Sequence, residues 1–169
     1  RTAKADSTER FDLFAPLQRS HEPGLSQHGT VDLERFVAAL SRFSAESGIK
    51  VLCRRHPQDR GKVFGLLEER HGHSGIRFTQ EGTVDDFILA AKAVAVVNGD
   101  AGVRAMCFSK PVLSFGKAPY DGAVTVVDAD TIAEGYRAAL AEPSEQRQER
   151  YHRFLSFALY TVGYKLDEP

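Results

Sequence analysis

No apolar run in the sequence approaches the roughly 20 residues needed to cross a bilayer, so no segment reads as a membrane span. Cysteine is scarce. Cys53 and Cys107 both sit in apolar contexts, without metal-ligand spacing, so buried reduced thiols are expected, as suits a cytoplasmic protein. An excess of one charge is also missing. The 22 basic and 23 acidic residues leave a formal net charge of −1, which removes the general electrostatic case for nucleic acid or a membrane surface. There is no G-x-G-x-x-G, no P-loop, no zinc spacing and no serine nucleophile elbow, and no metal or cofactor is expected from motifs. No repeat, low-complexity segment or convincing domain boundary is visible. Helical aromatics are spaced as core, not as stacking platforms for bases. The chain opens on Arg1 rather than Met, so it reads as a fragment of a longer protein, and the lack of a signal peptide says little about that parent.

What is present is a chain of 169 residues, 42% apolar and 27% charged, enough for one soluble globular domain. Residues 1–10 read as a disordered lead-in and 11–165 as a single domain. Short apolar runs predict strands at 12–17, 49–53, 76–79, 94–97, 112–115 and 123–127. Between them lie helical patterns. Leu33, Phe36, Val37, Leu40 and Phe43 recur at spacings of three and four, behind Thr30, Asp32 and Glu34 and ahead of Gly48. A helix from about Asp59 is expected to turn Val63, Leu66 and Leu67 inward. Capping boxes are expected at Thr83–Asp86 and Thr131–Glu134. A last helix, roughly 145–164, carries Tyr151, Phe154, Leu155, Ala158, Leu159 and Val162 on one stripe. Strands alternating with helices predict an α/β fold: a parallel sheet covered on both faces.

Two stretches stand out as candidate sites. Arg54, Arg55 and His56 follow a strand end, with Arg60 and Lys62 close behind. Pro57 fixes the backbone that aims the imidazole, and a basic cluster there suits a phosphate. The alternative is a solvated basic loop. The second stretch is Asn98-Gly99-Asp100-Ala101-Gly102. Gly99 and Gly102 permit close backbone approach by a ligand, and the turn presents a helix N-terminus to an anion. Against this, Asp100 is placed to cap the helix itself and to pair with Arg104 across one turn. Lys117 and Tyr120, in the loop after the next strand, read equally as ligand or solvent contacts. His71 and His73 suit a helix terminus better than a shared metal, His152 reads as a surface residue, and His21 and His28 support no specific role.

Taken together, these residues resemble the capsule polysaccharide biosynthesis and export family, the β-Kdo glycosyltransferases of GT-B fold. Phe14-Ala15-Pro16-Leu17-Gln18 resembles the family's apolar strand ending in Pro-Leu-Gln. Arg55-His56-Pro57 followed by Asp59 resembles its His-Pro motif. Asn98 to Ala105, then Lys110-Pro111-Val112, Gly116 and Tyr120, resembles a signature in which Asn-Ser-Thr-x-Gly-x-Glu-Ala precedes Lys-Pro-Val, Gly and Tyr. The resemblance spans 11–122. Two departures are plain: the family's hydroxyl residues are Gly99 and Asp100 here, and its Glu is Arg104.

The resemblance implies a Rossmann-like, three-layer nucleotide-binding half of a GT-B protein with a long C-terminal amphipathic helix. It implies transfer of Kdo from CMP-Kdo to a glycan or glycolipid acceptor. Gln18 would lie near the interdomain cleft, Arg55, His56 and Pro57 near the nucleotide phosphate, and Asn98, Gly99, Asp100, Gly102 and Arg104 near phosphate or ribose. Lys117 and Tyr120 complete the expected donor-binding set. The N-terminal half, which would complete the enzyme and dock on the last helix, is expected in the parent protein. So is peripheral association with the inner face of the inner membrane. The departures keep two other readings open: a non-catalytic binding or assembly module, and a GT-B enzyme using a UDP-sugar.

Overall fold

The computed structural model describes residues 11–18, 32–59, 61–72 and 75–163, with residues 162 and 163 described by backbone alone. The expected lead-in over 1–10, and Thr30, His21, His28, Arg60 and His73, lie outside the described residues. Six short strands form one sheet: β1 (Leu13–Pro16), β2 (Val51–Arg54), β3 (Ile76–Thr79), β4 (Ala93–Val96), β5 (Val112–Ser114) and β6 (Thr125–Val126). Every neighbouring pair is parallel, in the order β3-β2-β1-β4-β5-β6. Parallel neighbours need long crossovers. These carry α1 (Leu33–Ser47), α2 (Val63–His71), α3 (Val84–Ala90) and α4 (Ala101–Cys107), while a 3-10 turn at Asp121–Ala123 leads into β6. Two further helices close the chain, α5 (Ile132–Ala141) and α6 (Ser144–Gly163). This is the Rossmann-like α/β class expected from the sequence, doubly wound about β1.

Both sheet faces are buried, and strand parity divides them. Leu13, Ala15, Val51, Cys53, Ala93 and Ala95 pack beneath α1, α2 and α5 with Phe36, Leu40, Phe64 and Tyr136. Phe14, Leu52, Val94 and Val96 pack on the other face beneath α3, α4 and α6 with Ile88, Met106 and Tyr151. Period-2 alternation sends neighbouring residues of one strand into different layers, and both layers are apolar.

The helix ends explain where the elements stop. Asp32 accepts from the Arg35 amide at 2.8 Å and opens α1. Gly48, at φ 71°, closes it in the left-handed conformation that glycine adopts without strain. Thr83 caps α3 as expected: its hydroxyl accepts from the Asp86 amide at 3.1 Å and donates to the Asp86 carboxylate at 2.6 Å, a side-chain bond in the place of the box's return to the backbone. The Thr131–Glu134 box does not form. Asp128 claims the Thr131 hydroxyl instead, in an Asx turn that also takes the Thr131 and Asp130 amides.

Helix α2 starts at Val63 rather than near Asp59, because Asp59 is held in a turn, its amide donating to His56 O and its carboxylate accepting from Gly61 N. The later start turns Phe64 and Leu67 inward and leaves Val63 and Leu66 facing out. Cys53 is buried, as expected, whereas Cys107 is exposed at the end of α4. Along α6, Tyr151 is buried and donates to Lys110 O at 3.0 Å. Of the rest of the expected stripe, Phe154, Leu155 and Ala158 are half-buried and Leu159 is exposed, beside Phe157 and Tyr160, which are exposed as well.

Candidate functional site

Strand order reverses at β1, with β2 and β3 to one side and β4 to β6 to the other. The loops after β1 and β4 diverge there and leave a crevice at the carboxyl ends, the place where open α/β sheets bind ligands. A cleft of about 570 Å³ fills that crevice. Its walls are Leu17 and Gln18 after β1, Arg54, His56 and Pro57 after β2, Gly82, Thr83 and Val84 entering α3, and Gly99, Asp100, Ala101 and Arg104 after β4. A shallow hollow of about 600 Å³ lies along α6, but all its lining residues belong to that one helix and no second element walls it. The four-walled cleft is therefore the candidate site.

The structure brings together Gln18, His56, Pro57, Gly99, Asp100 and Arg104 of the expected set. The His56 Nδ1 accepts from the Gln58 amide at 3.2 Å. That bond fixes the neutral ring as the Nε2–H tautomer, leaving Nε2 as a donor. Gln18 crosses from β1 to the β4 turn and donates to Asn98 Oδ1 at 3.0 Å. Its own Oε1 is buried and accepts no hydrogen bond among the described residues. Asn98 thus acts at the cleft through Gln18 rather than as a lining residue.

Arg55 does not line the cleft. It turns to the opposite sheet face, where its guanidinium lies 5.2 Å from the centre of the Phe64 ring and donates to Gly61 O at 3.0 Å. Arg54 faces the cleft in its place. Its Nε and Nη2 both donate to Gly82 O, at 3.2 and 2.8 Å. Gly82, at φ 79°, presents that carbonyl from a turn suited to glycine, and a Cβ there would strike the Phe87 ring. Burial, and after it the charge of Arg104, holds the Arg54 pKa below its ordinary value. Two guanidinium groups therefore line the one cleft.

The turn after β4 differs from expectation in several ways. Gly102 does not wait for a ligand: a Cβ on it would meet the Tyr120 hydroxyl at 2.6 Å and the ring at 2.7 Å. Tyr120 is buried and donates to Gly99 O at 2.6 Å, so it braces the turn from behind. The Gly102 amide also donates to Gly99 O, so this N–H is not offered to an anion. Asp100 makes no side-chain cap, because it is already in helical conformation, which carries its carboxylate away from the following amides. Arg104 does not pair with Asp100 either. It reaches Asp85 Oδ2 in the first turn of α3, at 2.7 Å. Lys117 is exposed on the loop after β5 and does not line the cleft.

Thr83, which lines the cleft, and Asp85, which holds Arg104, were not among the expected site residues, whereas Arg54 belonged to the expected basic cluster but not to the donor-binding set. The capping residue Thr83, soon after β3, carried the signal for the first two. The arrangement offers fixed cationic and N–H donors from three loops around one crevice. Such a site holds an oxyanion and stabilises charge developing on it. Among the described residues, no group of three His, Cys, Asp or Glu side chains is placed to hold a metal ion, and no helix is long and apolar enough to cross a membrane.

A family model described as capsule polysaccharide biosynthesis protein matches residues 2–158. A comparison with curated protein sequences returns no match. Solved structures similar to this chain include two of Thermosulfurimonas dismutans KpsC. One, a beta Kdo 2,7 transferase, is 18% identical with TM-score 0.55, over 75% of this chain and 40% of that one. The other, a beta Kdo 2,4 transferase, is 18% identical with TM-score 0.56, over 78% and 44%. A Methanocaldococcus jannaschii UDP-GlcNAc 2-epimerase, in complex with UDP-GlcNAc and UDP, is 13% identical with TM-score 0.59, over 88% and 46%. At these identities the likeness concerns the fold, and the matched regions span less than half of each of those chains.

Proposed function

The chain belongs to the capsule polysaccharide biosynthesis protein family, and from that premise we propose that it is the donor-binding unit of a glycosyltransferase. The donor is a nucleotide sugar, with CMP-Kdo as the first candidate, and the acceptor is a glycan or glycolipid of the cell surface. The observation that carries this reading is the cleft at the strand-order reversal, where Arg54 and the Nε2–H of His56 come from the β2 loop and Gln18 and Arg104 close the other sides. In glycosyl transfer, negative charge grows on the departing nucleotide phosphate. Arg54, already held by Gly82 O, and His56, already fixed in tautomer, meet that charge without reorganising. The acceptor-side half of the enzyme lies outside this chain and docks on the exposed end of α6. The working protein acts in the cytoplasm, at the inner face of the inner membrane.

A second reading is favoured by one observation. Arg104 and Asp85 are paired where the resembled family carries an acid in its signature. On that reading the domain is a non-catalytic binding or assembly module that keeps the fold. Thermal shift with CMP, CMP-Kdo and UDP separates the two. A ligand at about 100 times its Kd adds about 2.7 kcal/mol, which raises Tm by about 5–11 °C in a domain of this size. CMP or CMP-Kdo is expected to produce the shift and His56→Ala to abolish it. A shift with UDP alone moves the donor to a UDP-sugar. No shift with any of the three favours the non-catalytic module.

A further inference from the structure

The cleft has a charge pattern that the chain as a whole lacks. The protein carries a formal net charge of −1, yet two guanidinium groups, Arg54 and Arg104, line this one crevice, with Asp100 as the lone carboxylate among the described residues that line it. Each arginine is anchored by a neighbouring residue. Arg54 is fixed by Gly82 O and Arg104 by Asp85, which lies outside the lining itself. The Arg104 and Asp85 side chains are 46% and 42% exposed, so the pair stands at the cleft wall in reach of a ligand. The pairing distance is made through one Arg104 nitrogen, whereas a guanidinium carries five N–H donors in a planar fork. Two like charges that line one crevice favour an anion bound between them.

Resting on the reading of the cleft as a nucleotide-sugar site, we infer that Arg54 and Arg104 form a two-guanidinium clamp that selects donors carrying a second oxyanion beyond the phosphate held at His56. An acid at position 104 would accept from sugar hydroxyls. Arg104 accepts nothing and donates to an anion. The clamp therefore takes a carboxylate or a phosphate, both of which match the guanidinium fork bidentately. Two donor chemistries supply that group: the sugar carboxylate of a nucleoside monophosphate linked to an ulosonic acid, and the second phosphate of a nucleoside diphosphate.

Titration calorimetry of the 169-residue chain with CMP, CDP, UMP, UDP and CMP-Kdo tests the clamp. At least one probe with the second oxyanion is expected to bind about tenfold or more tightly than its monophosphate, the factor that corresponds to about 1.4 kcal/mol. A margin for CMP-Kdo alone identifies the carboxylate; a margin for CDP and UDP identifies the phosphate. In Arg104→Gln that ratio is expected to fall to about 1. A merely structural role for Arg104 would weaken all probes alike and leave the ratio standing, which overturns the clamp. Arg104→Lys keeps the charge without the fork and serves if the glutamine variant does not fold. It is expected to lose most of the ratio, and an undiminished ratio overturns the inference. Wild-type protein that binds CMP and its dianionic counterparts equally also overturns it, while leaving the nucleotide-sugar reading intact. Failure of every nucleotide to bind overturns both.

Discussion

Gly102→Ala decides whether Tyr120 or a ligand is the reason for the glycine in α4. The position lies inside a helix and is not among the glycines at positive φ, so alanine is conformationally allowed. Helix propensity alone makes the change stabilising by about 1 kcal/mol. The surroundings oppose it. The added Cβ would sit 2.6 Å from the Tyr120 hydroxyl oxygen, 2.7 Å from Cζ and 3.0 Å from Cε2, all well inside van der Waals contact. Tyr120 is 3% exposed and packs edge-on against Phe154, so its ring has little room to retreat. Overpacking of this kind costs about 1–3 kcal/mol. Displacing the hydroxyl from Gly99 O adds about 1 kcal/mol. The balance is a destabilisation of about 2 kcal/mol, or a fall of about 4–8 °C in Tm at this domain size. Differential scanning calorimetry of wild type, Gly102→Ala, Tyr120→Phe and the double variant measures it. In the Tyr120→Phe background the alanine is expected to cost less, because the nearest of the three atoms is gone. A Tm that rises by about 2–4 °C in Gly102→Ala, as propensity alone requires, refutes the reasoning and returns Gly102 to the ligand.

Three other expectations follow from the described contacts. Burial raises the Asp12 pKa, but the Lys92 ammonium at 2.7 Å and the Lys50 amide at 2.9 Å lower it by more, so the net displacement is downward. A depressed carboxyl contributes stability above its unfolded value of about 3.9 and loses it as pH falls through the folded value. Urea melts of Asp12→Asn should therefore lose less stability than wild type as the pH is taken below about 4; parallel curves would remove Asp12 from the acid response. Iodoacetamide should label Cys107 in the native chain and Cys53 only after denaturation, since burial pushes the Cys53 thiol up and hides it. Equal labelling rates by mass spectrometry would contradict the placement of β2. Arg150 forks the Glu142 carboxylate and donates to Ala123 O at 2.9 Å, with the two side chains 36% and 17% exposed. Arg150→Ala is expected to cost about 1–2 kcal/mol in chemical denaturation, and a change under about 0.3 kcal/mol would class the fork with ordinary surface pairs.

The sheet was legible because each strand is a short apolar run bounded by turn residues and separated by helical spacing. The opening of the site was legible too, since Arg54-Arg55-His56-Pro57 and Asn98 to Gly102 both follow strands. Which arginine enters the cleft was not. Strand β2 is buried on both faces, so hydropathy does not mark its sides, and adjacent residues point to opposite layers. The Arg55 amide still pairs with Thr79 O, so the alternation continues past the strand end. It carries Arg54 to the side of Leu52 and α3, and Arg55 to the side of Cys53 and Phe64. Arg104 shows a second limit. Spacing of four within a helix suggested Asp100, but Asp85, from the neighbouring helix, holds the guanidinium. Sequence distance ranks partners within an element and is silent about those that packing brings alongside. The Tyr120–Gly102 contact belongs to the same class, joining a helix residue to the loop after β5.

The central position of β1 also bears on how the chain is made. Of the six strands it is the first to be made, yet its two neighbours are β2 and β4, and its pairing with β4 sets Leu13 beside Ala93 and Phe14 beside Val94. At about 5–20 residues per second, a ribosome takes several seconds to deliver that second neighbour. During this interval β1 presents an open apolar edge, the kind that templates unwanted pairing. The cleft cannot exist before the interval ends, because Gln18 and Asn98 close it from opposite ends of the delay. Slower translation between residues 55 and 93 is thus a hazard to yield rather than a help.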